Sequence, residues 1–212
     1  MNRRTLVQVL VSVLAVCIVA PTQAATTIGF DDAVAPSTFA NTVALTEAYA
    51  GLGVHFAGPA EKDGGAILDQ DSSFGLGALS GRNFLAFNRQ SGFSGGGVPQ
   101  DPETILFDSL MATVSVYAAG GRTTDTFTMM AYDAADVLVD TDTITTLEWG
   151  LLSVSSPGGI RRVVLTQSGD HAFIYDDLSF TGLTPAIPAP GAILLGTLGT
   201  SLVGWLRRRR VV

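Results

Sequence analysis

The sequence predicts an all-β fold: an antiparallel β-sandwich, jelly-roll-like, flanked by an N-terminal signal helix and a C-terminal transmembrane helix. Three observations carry this. Between the two ends, short alternating apolar runs are broken every few residues by Gly, Asp, Ser and Pro, the pattern of a two-sheet protein. No stretch there shows an amphipathic helical period. Both ends are apolar segments with arginines on one flank, the pattern of membrane-directed signals rather than of a core.

Taken in order, residues 1–24 read as a signal peptide. Arg3 and Arg4 are the positive region, Leu6 to Ala20 the apolar centre, and Ala24 the small residue before the cut. A retained anchor is the alternative. Cys17, the only cysteine of the 212 residues, lies inside this segment. The remaining chain therefore has no disulfide chemistry.

Residues 25–184 form the expected ectodomain. Its strands are expected near 27–32, 53–57, 83–88, 104–107, 113–118, 126–132, 137–145, 147–154, 160–167 and 172–180. Phe84 with Phe87, Val114 with Val116, and Phe127 with Met129 mark core-facing positions. Asp133 to Asp136 and Ser156 to Gly159 read as hairpin connections. Gly58 to Gly81 and Gly92 to Pro102 read as loops. Ten short strands suit two packed antiparallel sheets.

Charge is segregated. Six of the twelve basic residues lie in the two end segments, and all nineteen acidic residues lie between them. With both ends removed, six basic residues against nineteen acidic ones leave a net charge of −13. Such a surface repels nucleic acid and anionic lipid, excludes nucleic acid as a partner, and is compatible with divalent cations.

The last strand holds one anomaly. By period two, Ala172, Ile174, Leu178 and Phe180 share an apolar face, and Asp176 falls on that face. A carboxylate there must be paired, hydrogen-bonded or bound to a cation. Asp32 sits likewise with Ile28 and Phe30. First and last strands lie close in many sandwiches, so Asp31, Asp32, Asp176 and Asp177 form a candidate oxygen site for Ca²⁺. The plainer reading is that these carboxylates cap turns. Asp63, Asp69 and Asp71 are a second acidic set. Phe74 stands where an EF-hand loop needs glycine, and no glutamate stands at its last position, so a solvated loop is the reading there. His55 and His171 are the only histidines, and no nucleophile or zinc spacing accompanies them. Glu148 beside Trp149, and Tyr175, have the chemistry of a sugar site, although such aromatics commonly pack in cores.

The tail, 185–212, has three parts: Pro185 to Pro190, an uncharged span 191–206, and Arg207, Arg208, Arg209 and Arg210. Sixteen helical residues span roughly 24 Å, and arginine stems extend that reach. The arginines hold the tail end in the cytoplasm and leave the ectodomain outside. Pro188-Ala189-Pro190, the apolar span and the arginine block resemble the C-terminal sorting signal of PEP-CTERM proteins, which are exported bacterial proteins. Ala189 stands where that family has Glu. The resemblance implies recognition and cleavage by an exosortase-type membrane enzyme, with the chain first in the inner membrane and then at the cell surface or extracellular matrix. The segments 49–56, 81–87 and 173–180 resemble ectodomains that precede such tails, and are similar in style to galactose-binding-like and lectin-like jelly rolls. By that likeness the expected function is non-enzymatic: structural or adhesive, binding exopolysaccharide with Ca²⁺. A polysaccharide-acting enzyme, hydrolase or lyase, and a ligand-free spacer are the alternatives.

Overall fold

The computed structural model describes residues 23–32, 34–39, 45–57, 65–87, 103–168 and 173–183, together with residue 199. The expected signal centre, the span 191–206 apart from residue 199, the sorting residues Pro188, Ala189, Pro190 and Arg207 to Arg210, and also Asp63 and His171 lie outside the described residues. Among the described residues no helix is long and apolar enough to cross a membrane. Residues Gln23–Leu183 form one compact unit.

That unit is an all-β antiparallel structure. Its strands are β1 (Thr26–Ile28), β2 (Val54–Ala57), β3 (Ala66–Asp69), β4 (Asn83–Ala86), β5 (Glu103–Ala119), β6 (Asp125–Tyr132), β7 (Leu138–Thr146), β8 (Gly150–Gln167) and β9 (Ile174–Gly182). They form one continuous sheet in the order β3-β4-β9-β5-β8-β6-β7, with β1 on β9 and β2 on β5.

The long strands β5 and β8 turn this sheet into a sandwich. The first part of β5 pairs with β2 and with the end of β8, whereas its second part pairs with β9 and with the start of β8. The ladder between them breaks at Leu106/Met111 and again at Met111/Thr113. Extra residues at such breaks bend a strand, and here they carry both strands round a corner from one half-sheet to the other. The halves face each other across one core. Phe107 of β5 meets Phe180 of β9 at 5.4 Å between ring centroids, and Phe127 of β6 meets Tyr175 of β9 at 5.9 Å.

This corner corrects two expectations. The stretch Ser156 to Gly159 is not a hairpin but lies within β8, opposite the break in β5. Gly159, at φ +94°, takes up the extra length, and a Cβ there would come within 2.8 Å of Leu110. Pro157 lacks the N–H of a ladder partner and sits where the pairing is interrupted. So 104–107 with 113–118, and 147–154 with 160–167, are two long strands rather than four short ones. The connection at Asp133 to Asp136 is a turn as expected: Asp133 N–H donates to Val137 O (3.0 Å), and Asp133 Oδ1 accepts from Ala135 and Val137.

A third correction concerns residues 58–81. The stretch reads as loop in the sequence, yet Ala66–Asp69 is β3, paired with β4. Residues 70–79 then fold back over the outer side of β4 and β9. There Phe39, Leu68, Phe74, Phe84, Ala86 and Ile174 make a second buried cluster, with Trp149 against it. Both faces of β4 are therefore covered, and all four of its residues are buried.

Candidate functional site

Strand β1 is shorter than expected because Phe30 adopts φ +60°, a left-handed conformation unfavourable for an aromatic residue. The turn is held from both sides. Phe30 drops its ring into the core, edge-on to Tyr49 at 5.9 Å, while Asn83 Nδ2 donates to its carbonyl at 3.0 Å. The turn lifts Asp31 over the segment Leu79–Asn83.

Asp31 Oδ1 accepts the backbone N–H groups of Arg82 (2.7 Å) and Asn83 (3.0 Å). Its other oxygen lies against Gly81, where any Cβ would overlap the carboxylate. Gly81 also has φ +54°, so two independent constraints require glycine there.

From the other side comes β9. Asp177 takes φ +49°, and the pairing with β5 slips between Ser115 and Tyr117. This bulge inverts the face alternation. Tyr175 and Leu178 face the main core, and Ile174 faces the second cluster. Asp176 is thus not on the face of Leu178 and Phe180, as strict alternation predicts. It is fully buried beneath residues 79–80. Its Oδ2 accepts from Leu79 N–H (2.9 Å) and Ser80 N–H (3.3 Å), and its Oδ1 accepts from Asp177 N–H (2.8 Å). Burial pushes the Asp176 carboxyl up to about 7, against the pull of those three donors and with a smaller push from Asp177. Asp177 Oδ1 accepts from Ser80 Oγ at 2.7 Å.

The structure therefore gathers Asp31, Asp176 and Asp177 around Leu79–Asn83. Asp32 turns away and accepts from the Tyr49 hydroxyl. Burial, then the Asp32 charge and hydrogen bond, then the Asp31 charge push that hydroxyl above its ordinary range. Two members of the second acidic set share one arginine. Arg82 pairs with Asp69 at 3.1 Å and Asp71 at 3.2 Å. The Asp71 N–H, more than Arg82, holds the Asp69 carboxyl below its usual range.

The partners Leu79, Ser80, Gly81, Arg82 and Asn83 are not marked by spacing or periodicity in the sequence. The one available signal was Ser80-Gly81 ahead of a strand. Nor does the sequence mark what holds His55, whose Nδ1 lies 2.6 Å from Glu47 and whose Nε2 lies 3.2 Å from Asp108. Those carboxylates raise its pKa, Glu47 foremost. Trp149 donates Nε1–H to Gly77 O (3.1 Å), and Tyr175 is buried in the core, so both aromatics take the packing role rather than the sugar-facing one.

Among the described residues no group of three or more acidic, histidine or cysteine side chains converges as a ligand set. A smaller oxygen cradle does exist. A Cβ on Gly29 would touch Asp177 Oδ1 at 3.3 Å, Ser80 Oγ at 3.3 Å and Asp31 Oδ2 at 3.5 Å. Three oxygens from three segments thus lie around one small space.

No protein-family model and no curated protein matches the chain. Solved structures do align with it. The K2 cleaved adhesin domain of Lys-gingipain is 17% identical with a TM-score of 0.47, over 74% of this chain and 99% of that one. TmCBM61, solved with β-1,4-galactotriose, is 12% identical with a TM-score of 0.39, over 60% and 88%. The Clostridium thermocellum xylanase 10B CBM22-1–GH10 structure with xylohexaose is 15% identical with a TM-score of 0.39, over 80% and 30%.

Proposed function

We propose that this chain is an exported, non-enzymatic jelly-roll-like protein of the bacterial envelope or extracellular matrix, with a structural or adhesive role in binding exopolysaccharide. The observation that carries this reading is how its conspicuous carboxylates are used. Asp31 and Asp176, from two segments distant in sequence, both accept backbone N–H groups of Leu79–Asn83, which pins the chain after β1 and strand β9 to that one segment. Side chains engaged in this way build a rigid scaffold and are not free for acid–base work. His55 is likewise held between two carboxylates.

Export rests on the N-terminal segment and on the tail. Pro188, Ala189, Pro190 and Arg207 to Arg210 are the residues an exosortase-type enzyme would read. Calcium belongs to the same proposal. The Gly29 cradle has the oxygen chemistry of a hard cation, with Asp31, Asp177 and Ser80 as the side chains that would hold it. Asp176 would support them by fixing residues 79–80. A cation bound there would tie the first strand to the last.

The function is tested by incubating the full chain with exopolysaccharide. Saturable retention with no new reducing ends and no unsaturated products supports the reading. Release of products overturns it in favour of the enzyme, and neither retention nor product leaves a spacer. Calcium is tested by melting the full chain in millimolar calcium and in chelator. A hundredfold excess over Kd stabilises by about 2.7 kcal/mol. Asp31→Asn and Asp177→Asn should reduce the difference between the two buffers. An equal melting temperature in both buffers for the parent chain refutes the calcium site.

A further inference from the structure

The outer face of the half-sheet β7-β6-β8-β5 has an unusual separation of charge from hydroxyl. On β7 the sequence Asp140-Thr-Asp142-Thr alternates. Both carboxylates turn to one side of the strand. There Asp140 accepts Ser155 N–H and Asp142 accepts Ser153 N–H, each at 2.8 Å. Alternation leaves Thr141, Thr143 and Thr145 on the other side. They continue across the sheet in register: Thr145 lies opposite Thr126, and Thr143 opposite Thr128, which in turn is opposite Thr166. The hydroxyls are already ordered, with Thr126–Thr145 at 2.8 Å and Thr128–Thr143 at 3.1 Å.

The next rows of the same face carry Met130 and Val164, then Tyr132 and Arg162. Met130 lies between Thr141 and Val164, and Tyr132 lies opposite Arg162. The Arg162 guanidinium sits 3.7 Å from the centre of the Tyr132 ring and is paired with Asp136 at 2.7 Å. Its charge is thus neutralised, and ring and guanidinium form one preorganised platform.

We propose that this face is a binding surface for a neutral polysaccharide, seated on the Thr128–Thr143–Thr166 row and the Met130–Tyr132–Arg162 platform. This rests on the polysaccharide-binding reading above and names its site. A sugar ring presents apolar C–H faces and hydroxyl edges, and this surface offers both beside each other. The charge balance selects a neutral polymer. The region between the end segments carries nineteen acidic residues against six basic ones, so it repels polyanions. The threonine rows carry no carboxylate that would have to lose its water on contact.

The test is native affinity electrophoresis of the full chain in gels holding galactomannan or hydroxyethylcellulose, both neutral, or alginate, an anionic control. The parent chain should be retarded by a neutral polymer and not by alginate. Thr128→Val with Thr143→Val removes two hydroxyls and keeps β-branched residues in the strands. Each lost hydrogen bond weakens binding severalfold, so the pair should raise Kd by about tenfold. Tyr132→Ala should do the same. Thr27→Val serves as the control. It removes a hydroxyl bonded to Ser179 at 2.6 Å, away from this face, and should leave Kd unchanged. Retention that survives both face variants overturns this site and leaves the adhesive function standing. Retention by alginate alone overturns the neutral ligand. Retention by none of the three overturns the site and the adhesive function together.

Discussion

The buried Asp176 should make the protein less stable as the pH rises from 5 to 8. Its folded-state pKa is about 7, against an ordinary value of 3.8. A carboxyl raised in the folded state binds its proton more tightly there than in the unfolded chain. Below about pH 4 both states are protonated and stability is level. Between about pH 4 and 7 only the folded state holds the proton, so stability falls as the proton is lost. Three decades of proton affinity at about 1.4 kcal/mol each amount to about 4 kcal/mol, and about 2.5 kcal/mol of this falls between pH 5 and 8.

Asp176→Asn removes the titration. It also places an amide against one of the three backbone N–H donors, at a cost of about 1–3 kcal/mol that does not vary with pH. His55 acts in the same direction. Its raised pKa contributes stability that is full below about pH 6.5 and is lost as the pH climbs through the folded value. The comparison is therefore between a His55→Gln chain and the same chain carrying Asp176→Asn as well. The assay is urea unfolding of both full chains, in chelator, at pH 5, 6, 7 and 8. The difference in their stabilities should change by about 2.5 kcal/mol across that range. A difference that stays constant with pH would mean that Asp176 is ionised throughout, and would refute the reasoning.

Two further outcomes follow from the packing. Gly81→Ala would put a Cβ against the Asp31 carboxylate at a positive φ, so denaturant melts should show a loss of at least about 1 kcal/mol. Gly51→Ala, with open space around it, is the comparison and should melt like the parent. Asp140→Ala with Asp142→Ala would uncover the Ser153 and Ser155 N–H groups, giving β8 an open edge. Size-exclusion chromatography should then show concentration-dependent self-association, and a strictly monomeric profile at high concentration would contradict the capping role.

Much of the β character was legible because strand period and turn chemistry are local. The runs around Phe84, Val114 and Phe127 announce strands, and Asp133 announces its turn. Strand β3 was hidden because Ala66–Asp69 lies among glycines and aspartates, and its burial comes from Phe74 and Phe84 rather than from its own pattern. Strand β8 reads as two because Pro157 and Gly158-Gly159 spell a turn in any local code. Only the opposing break in β5 turns them into a corner.

The site shows the same division. The alternation of the last strand marked Asp176 as a carboxylate needing partners, and composition set the acidic surface and the single cysteine at the front. These follow from residue identity and spacing, which need no third dimension. The identity of the partners does not follow. The bulge at Asp177 turns Asp176 from the main core toward Leu79 and Ser80, which lie 97 and 96 residues away in sequence. The left-handed Phe30 sends Asp31 to the same segment and Asp32 to Tyr49. A one-residue slip inverts every later side chain on a strand. Which carboxylates converge was therefore decided by pairing register, a property of two chain segments together.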